Sequence, residues 1–454
     1  MPKLVVHSTV HWICLVALGC GPGAIASDGS SFGDAESGTA EDAIETNTTM
    51  SEPDPSAGTT FETSSSGETE TETETETETG ANDWTDPETE TETDTDEPEP
   101  IDADCTRVWT HIDSKPSHGH IGATPIGPGS DGGFISVSPV LASLDGINVD
   151  SWIRSWSPFG ELLWEVQLSW ADHRDDPLAL LTDDLGDVFL AGRINANTFE
   201  DAMIAKLDGA TGELVWTVLR GEAGGYTSVA HNGAALVVAG VIGDFGQRRL
   251  EVVALEPDTG ETLWIGDPPV DGLVTRGLVV ADGRVDVLVS HSSIDILRYQ
   301  PPASEPSTLV SLVGQGGVPQ DLERFGSGRL AALYGQGSAS FLAIVDRESG
   351  ELLESVEIDE FPSASTVTAS ELVELPAELG LAIAGTIEVG TEDQTFVLRL
   401  GPDLSPICSA VIGKADHGWS RTLLRGLAVG DDGGLFTGSF IDTPTRRGVF
   451  ARWE

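Results

Sequence analysis

From residue 105 onward the chain alternates short apolar runs with breaks rich in Gly, Asp and Pro. In the clearest stretch Leu178-Ala-Leu-Leu181 precedes the turn Asp183-Asp-Leu-Gly-Asp187. Val188-Phe-Leu-Ala-Gly192, Ala202-Met-Ile-Ala-Lys-Leu207 and Leu214-Val-Trp216 follow. Apolar runs this short, bounded by turn residues, predict four strands of one antiparallel sheet. Sustained helical periodicity is not evident, because Gly, Pro and β-branched residues interrupt the candidate windows.

The pattern repeats. Gly160-Glu-Leu-Leu-Trp164, Gly212-Glu-Leu-Val-Trp216 and Gly260-Glu-Thr-Leu-Trp264 nearly match, and Gly350-Glu-Leu-Leu-Glu354 is a copy without the Trp. The second-strand element recurs near Phe134, Val188, Leu236, Val285, Leu330, Leu381 and Leu435, at spacings of 45 to 54 residues. Repeats of this period, each one small antiparallel sheet, predict an all-β fold, a seven-bladed β-propeller with eight blades as the alternative. The last unit, ending in Val449-Phe-Ala-Arg-Trp453, lacks its final strand. Cys105-Thr-Arg-Val-Trp109 resembles that strand, so residues 106–111 are expected to complete the last blade and close the ring. A Trp recurring at one slot per blade is expected to pack neighbouring blades together.

Asp208-Gly-Ala-Thr-Gly-Glu-Leu-Val-Trp216 and Glu256-Pro-Asp-Thr-Gly-Glu-Thr-Leu-Trp264 resemble the repeats of PQQ-like (quinoprotein-dehydrogenase-like) propellers and the bacterial SBBP-type repeat. The resemblance spans about 350 residues, with blades four and six degenerate. Quinoprotein dehydrogenases of this superfamily typically have eight blades, many with a vicinal disulfide and a calcium site. Here seven units are counted and no two cysteines adjoin, so neither a cofactor nor catalysis is expected. The superfamily also includes an outer-membrane-assembly lipoprotein, a non-catalytic relative whose anchoring suits the N-terminus described next.

Charge divides the chain sharply. Of 75 acidic residues, 26 lie within 21–104, a stretch with no Lys or Arg; residues 105–454 hold 49 acidic and 22 basic ones. Glu68 to Thr79 reads ETETETETETET, and Glu88 to Asp96 nearly repeats it. With so few large apolar residues this tract cannot offset the entropy of ordering. It is expected to be a disordered, self-repelling linker over 20–104, spanning on the order of 50 Å as a flexible coil. An acidic body of this kind also repels phosphate, which argues against a nucleic-acid partner.

The first residues, MPKLVVHSTVHWICLVALGC, carry one Lys and an apolar run too short to span a membrane well. Ala17-Leu18-Gly19-Cys20 resembles a bacterial lipobox. The resemblance implies a signal peptide over 1–19 and lipidation of Cys20. Gly21 after that cysteine implies the outer membrane or cell surface. The expected function is a lipid-anchored, extracytoplasmic, monomeric propeller over 105–454 that binds a protein or envelope polymer without catalysis. The alternative is a quinone- or metal-dependent enzyme with its site at the channel mouth.

Only Cys105 and Cys408 remain in the repeat region, 303 residues apart. Two thiols in an exported domain invite one disulfide. In the repeat alignment Cys408 occupies the Trp slot of blade six, and Cys105 lies on the neighbouring blade's outer strand, where a bridge would lock the closure.

Of nine histidines, His118, His120, His173 and His417 fall in blade-to-blade connections next to one another around the ring. With Asp172 and Asp416 they are a speculative metal site; the simpler reading is that Ala-Asp-His recurs because the loop does. His111, His231 and His291 are read as structural. Asp183 to Asp187 and Asp431-Asp-Gly-Gly434 are read as hairpin turns, not calcium loops.

Overall fold

The breaks and apolar runs of the sequence become 27 β-strands and, among the described residues, no α-helix. The structure is a computed structural model. It describes residues 105–454 except 113–124, 130–131, 142–148, 171–173, 197–198, 245–246, 267–273, 315, 377–378, 414–420 and 442–446. Cys20, the tract 20–104 and all four candidate metal-site histidines lie outside the described residues.

Strand β1 (Arg107–Ile112) belongs to the last blade. Blade one is β2 (Ile126–Pro128), β3 (Phe134–Leu141), β4 (Val149–Trp156) and β5 (Leu162–Leu168). Blade two is β6 (Arg174–Thr182), β7 (Val188–Ala196), β8 (Phe199–Leu207) and the first half of β9 (Leu214–His231). The second half of β9 opens blade three, with β10 (Leu236–Ile242), β11 (Arg249–Leu255) and β12 (Thr262–Gly266). Blade four is β13 (Val274–Ala281), β14 (Arg284–Ser290), β15 (Ile294–Tyr299) and β16 (Ser307–Val313). Blade five is β17 (Gly317–Phe325), β18 (Arg329–Gln336), β19 (Ala339–Asp346) and β20 (Leu352–Glu357). Blade six is β21 (Thr366–Glu374), β22 (Leu381–Val389), β23 (Glu392–Leu400) and β24 (Pro406–Ile412). The last blade is β25 (Thr422–Val429), β26 (Leu435–Ile441), β27 (Arg447–Trp453) and β1.

Strand β1 pairs antiparallel with β27, from Arg107 against Trp453 to Ile112 against Val449, so both ends of the repeat region meet in one sheet. The ring-closing role expected for residues 106–111 is therefore met. One difference from the expected pattern is β9, where a single 18-residue strand serves two blades.

Each middle strand is buried on both faces, and its period of two divides it between two interfaces. Val188 and Leu190 pack with Ile135 and Ile153 of blade one, while Phe189 and Ala191 pack with Leu236 and Val238 of blade three. The same division recurs around the molecule. It closes where Phe134 and Trp156 of blade one meet Phe436 and Phe450 of the last blade. There the Phe134 ring stacks 5.1 Å from Phe436 and 5.8 Å from Trp156. Apolar burial of this kind is the main favourable term in holding blades together.

The Trp slot acts between blades. Trp109 Nε1 donates to Pro158 O at 2.9 Å, Trp164 to Gly209 O at 2.9 Å, Trp216 to Pro257 O at 3.1 Å and Trp264 to Pro302 O at 3.2 Å. Each acceptor lies in the turn between the third and outer strands of the following blade. The Gly of the Gly-Glu pair makes room for the indole: Gly212 has φ 75°, and a Cβ there would sit 2.7 Å from the Trp164 ring. Blades lacking the Trp use other devices. Leu309 packs against Gly350, and fully buried Asp286 accepts from Arg298 Nε and from Arg347 Nε of the next blade, each at 2.7 Å. Cys408 is joined to Cys105 across the last junction, with their Cα atoms 5.0 Å apart.

Candidate functional site: the central channel

Residues from the first strand of every blade line one cavity of about 270 Å³. It is the channel around which the ring is built. The inner strands are not regular. Six of them carry a β-bulge at the same level. Leu178 is extra between Pro177 and Ala179, and Thr227 between Tyr226 and Ser228. Arg276 and Gly277 together face Leu288 alone. Gln320, Ser370 and Arg425 are extra in blades five, six and seven. A bulge re-aims its side chain and increases the local twist. Here it delivers one residue per strand to the channel: Leu178, Thr227, Arg276, Gln320 and Arg425 line this cavity. Ser370, with Arg276, Gln320 and Arg425, lines an adjoining one of about 320 Å³.

The bulge imposes a demand on the second strand. Its backbone passes so close that a Cβ on Gly192 would lie 2.2 Å from Asp176 O, and one on Gly385 would lie 2.3 Å from Thr368 O. The Ala-Gly endings of Val188 to Gly192 and of Leu381-Ala-Ile-Ala-Gly385 are thus the sequence trace of a bulge on the neighbouring strand.

Beyond the bulge, alternation turns Asp321, Glu323 and Glu371 toward the same space. They keep some solvent-accessible surface because they face the channel, but protein surrounds them on every side, and that enclosure governs their ionisation. Burial pushes the Asp321 carboxyl up to about 6, although the N–H groups of Leu372 and Leu322 donate to it at 2.9 and 2.8 Å and Arg276 lies nearby. Burial, then the charge of Asp321, push Glu371 up to about 8 against the opposing pull of Arg276 and Arg425. Burial raises Glu323 well above the carboxyl range, helped by Asp321, Glu374 and Glu371. A buried carboxyl is raised because the charged form loses its hydration. Among the described residues no group of three or more His, Cys, Asp or Glu is placed to hold a metal ion.

Of the histidines read as structural, His111 and His231 are half-buried against aromatic rings and His291 is exposed. His111 lies 4.9 Å from the Trp156 ring, His231 stacks 6.1 Å from Phe189, and His291 Nδ1 lies 3.4 Å from Asp295. Asp183 accepts from the N–H groups of Leu185 and Asp187, closing the hairpin turn it was assigned to. His118, His120, His173 and His417 lie outside the described residues. Sequence reasoning missed the channel residues because they are polar residues scattered through several strands, without a motif of their own.

On the outside a second pattern appears. The residue before the Trp slot is apolar and exposed in six outer strands: Val108, Leu163, Val215, Leu263, Leu353 and Ile407, at 38% to 55% exposure. Each outer strand pairs on one side only, leaving its far edge open.

No protein-family model matches the chain, and none of the curated proteins matches it. Among solved structures, the chain is similar to the crystal structure of BamB from Moraxella catarrhalis. The identity is 14% and the TM-score 0.42, over 78% of this chain and 98% of that one.

Proposed function

We propose that the protein is a non-catalytic binding propeller of the cell envelope. In this reading residues 1–19 are a signal peptide, a lipid on Cys20 anchors the chain, the acidic tract 20–104 extends it, and the propeller over 105–454 binds a protein partner. The observation that carries the reading is the outer rim. Exposed apolar side chains at one register, on strands with open edges, are the features an extended partner segment would use to add a strand and seat its side chains. The propeller region's excess of acidic residues favours a cationic or neutral partner, with binding that weakens in salt.

The test has two arms. Cys20→Ser should release the protein from the envelope fraction and abolish acyl labelling. A photo-crosslinking residue at Val215 or Leu263 should capture one discrete partner, and Val215→Glu with Leu263→Glu should remove that product without shifting the unfolding temperature. Crosslinking that persists unchanged in the double variant would sink the rim as the binding surface.

A second reading, an extracytoplasmic enzyme, draws on the channel carboxyls, since Asp321 and Glu371 favour different protonation states at neutral pH. It requires a turnover that Glu371→Gln abolishes.

A further inference from the structure

The sequence places 104 residues before Cys105, so any pull on that stretch enters the propeller at Cys105. Strand β1, which follows, is a weak place to receive it. It is an outer strand that pairs with β27, and its first two residues, Arg107 and Val108, are exposed. Its pairing starts at once: the N–H of Thr106 donates to Glu454 O at 3.0 Å, and the N–H of Glu454 donates to Thr106 O at 2.9 Å. The register then shifts between Arg107 and Trp109. Ladder bonds run across the strands, so an outward pull on the end of β1 would strain one pair at a time and unzip it.

The disulfide changes the path of that pull. Cys105 is joined to Cys408, an interior residue of β24, the outer strand of blade six. Cys408 lies opposite Arg399, and β24 is paired on both sides of it, from Pro406 against Leu400 to Ile412 against Thr395. A pull at an interior position is shared by the bonds on either side. The N–H of Cys105 also donates to Ser409 O at 3.3 Å. Both half-cystines are buried in the apolar core between blades six and seven, with Val397, Leu435 and Trp453. The covalent link comes before the first pair of β1. Force that arrives at Cys105 therefore leaves through Cys408, and β1 beyond it stays slack.

We propose that the Cys105–Cys408 bridge is a force clamp, which passes tension on the preceding chain into the core between blades six and seven and shields β1 from it. A ring held between an anchor and a bound partner then stays closed under tension. The source of that tension rests on the anchored reading above; the path of the force through the bridge does not. This role is distinct from the entropic effect of the bridge on stability, which needs no pull.

The experiment is single-molecule pulling of the full chain. One handle is at the N-terminus, and the other is a click-reactive residue in place of Glu305, in an exposed turn of blade four. In the unreduced chain no short extension should precede the large ones of unfolding blades. In reductant, and in the double variant Cys105→Ser with Cys408→Ser, an early event at lower force should add on the order of 25 Å of contour length or more, as Cys105–Ile112 peels off at roughly 3.3–3.6 Å per residue. The variant serves if the buried bridge resists reductant, and reductant serves if the variant fails to fold. With handles that bypass Cys105, at exposed Ala234 and Glu305, reduction should add no such event. The proposal is overturned if the unreduced chain shows the early event at the same force, if neither reduction nor the variant produces it, or if the bypassing handles show it equally. Failure of the anchor is read separately: Cys20→Ser would then leave the protein in the envelope fraction while these traces stay as expected.

Discussion

The outer and inner strands of this propeller are built on opposite terms. In blades one, two, three and seven the outer strand repeats a residue as well as a position. Trp109, Trp164, Trp216 and Trp264 each dock on the turn of the next blade through the same Nε1 bond. The inner strands repeat only a position. Their bulges recur at one level, but the residues in them run from Leu178 to Arg425. The difference teaches where to look for function. A repeated residue at a repeated place holds the scaffold, and a changing residue at a repeated place is free to carry chemistry.

Breaking the outer ring should cost the most. Reduction of the Cys105–Cys408 bridge, or Cys408→Ser, is expected to destabilise by on the order of 5–6 kcal/mol in the chain-entropy model for so long a loop. Denaturant unfolding with and without reductant measures it. Free thiols on titration of the denatured, unreduced chain would show that no bridge forms. Next is Trp164→Ala, which removes a half-buried indole and leaves Gly209 O without its donor. About 3 kcal/mol is expected, whereas Leu353→Ala on the exposed rim should stay within about 0.5 kcal/mol.

The junction between inner and middle strands comes third. Gly192→Ala drives a Cβ into the Asp176 carbonyl, so about 1–3 kcal/mol is expected. Gly314→Ala, which meets no atom within contact range, is the control and should change little. Equal effects at the two glycines would break the link between the Ala-Gly signature and the bulge.

The last effect, at the inner ring, has the opposite sign. Because Asp321 and Glu371 are raised to about 6 and about 8, the folded state holds protons that the unfolded chain releases near the ordinary carboxyl value. Their contribution is therefore most favourable in acid and declines as pH rises from about 4 toward 8. Glu371→Gln should remove part of that decline and stabilise the protein at neutral pH. A Gln variant less stable than the unaltered chain at pH 8 would contradict this charge reading of the channel.

How much of this was legible follows from the same contrast. The Trp slot and the closing strand at Arg107–Ile112 are legible in the sequence because both are tied to a pentapeptide that recurs, and Cys408 takes the Trp slot by its position in the repeat. The channel site could not. Gln320, Asp321 and Glu371 look like scattered polar residues in β-strands, and nothing local says that a bulge points them inward. The one trace was the small residue and Gly closing several second strands, whose meaning appears only when the close backbone approach is seen.

By itself, then, the sequence determined the all-β architecture, the repeat period and the device that closes the ring. These rest on local alternation, turn chemistry and residues that recur at fixed spacing. The tertiary structure alone decided that Arg276, Gln320, Ser370 and Arg425, from four different blades, share one channel, and that burial leaves Glu371 protonated between two arginines. Convergence on an axis and exclusion of water are properties of the closed ring, and no single repeat contains them.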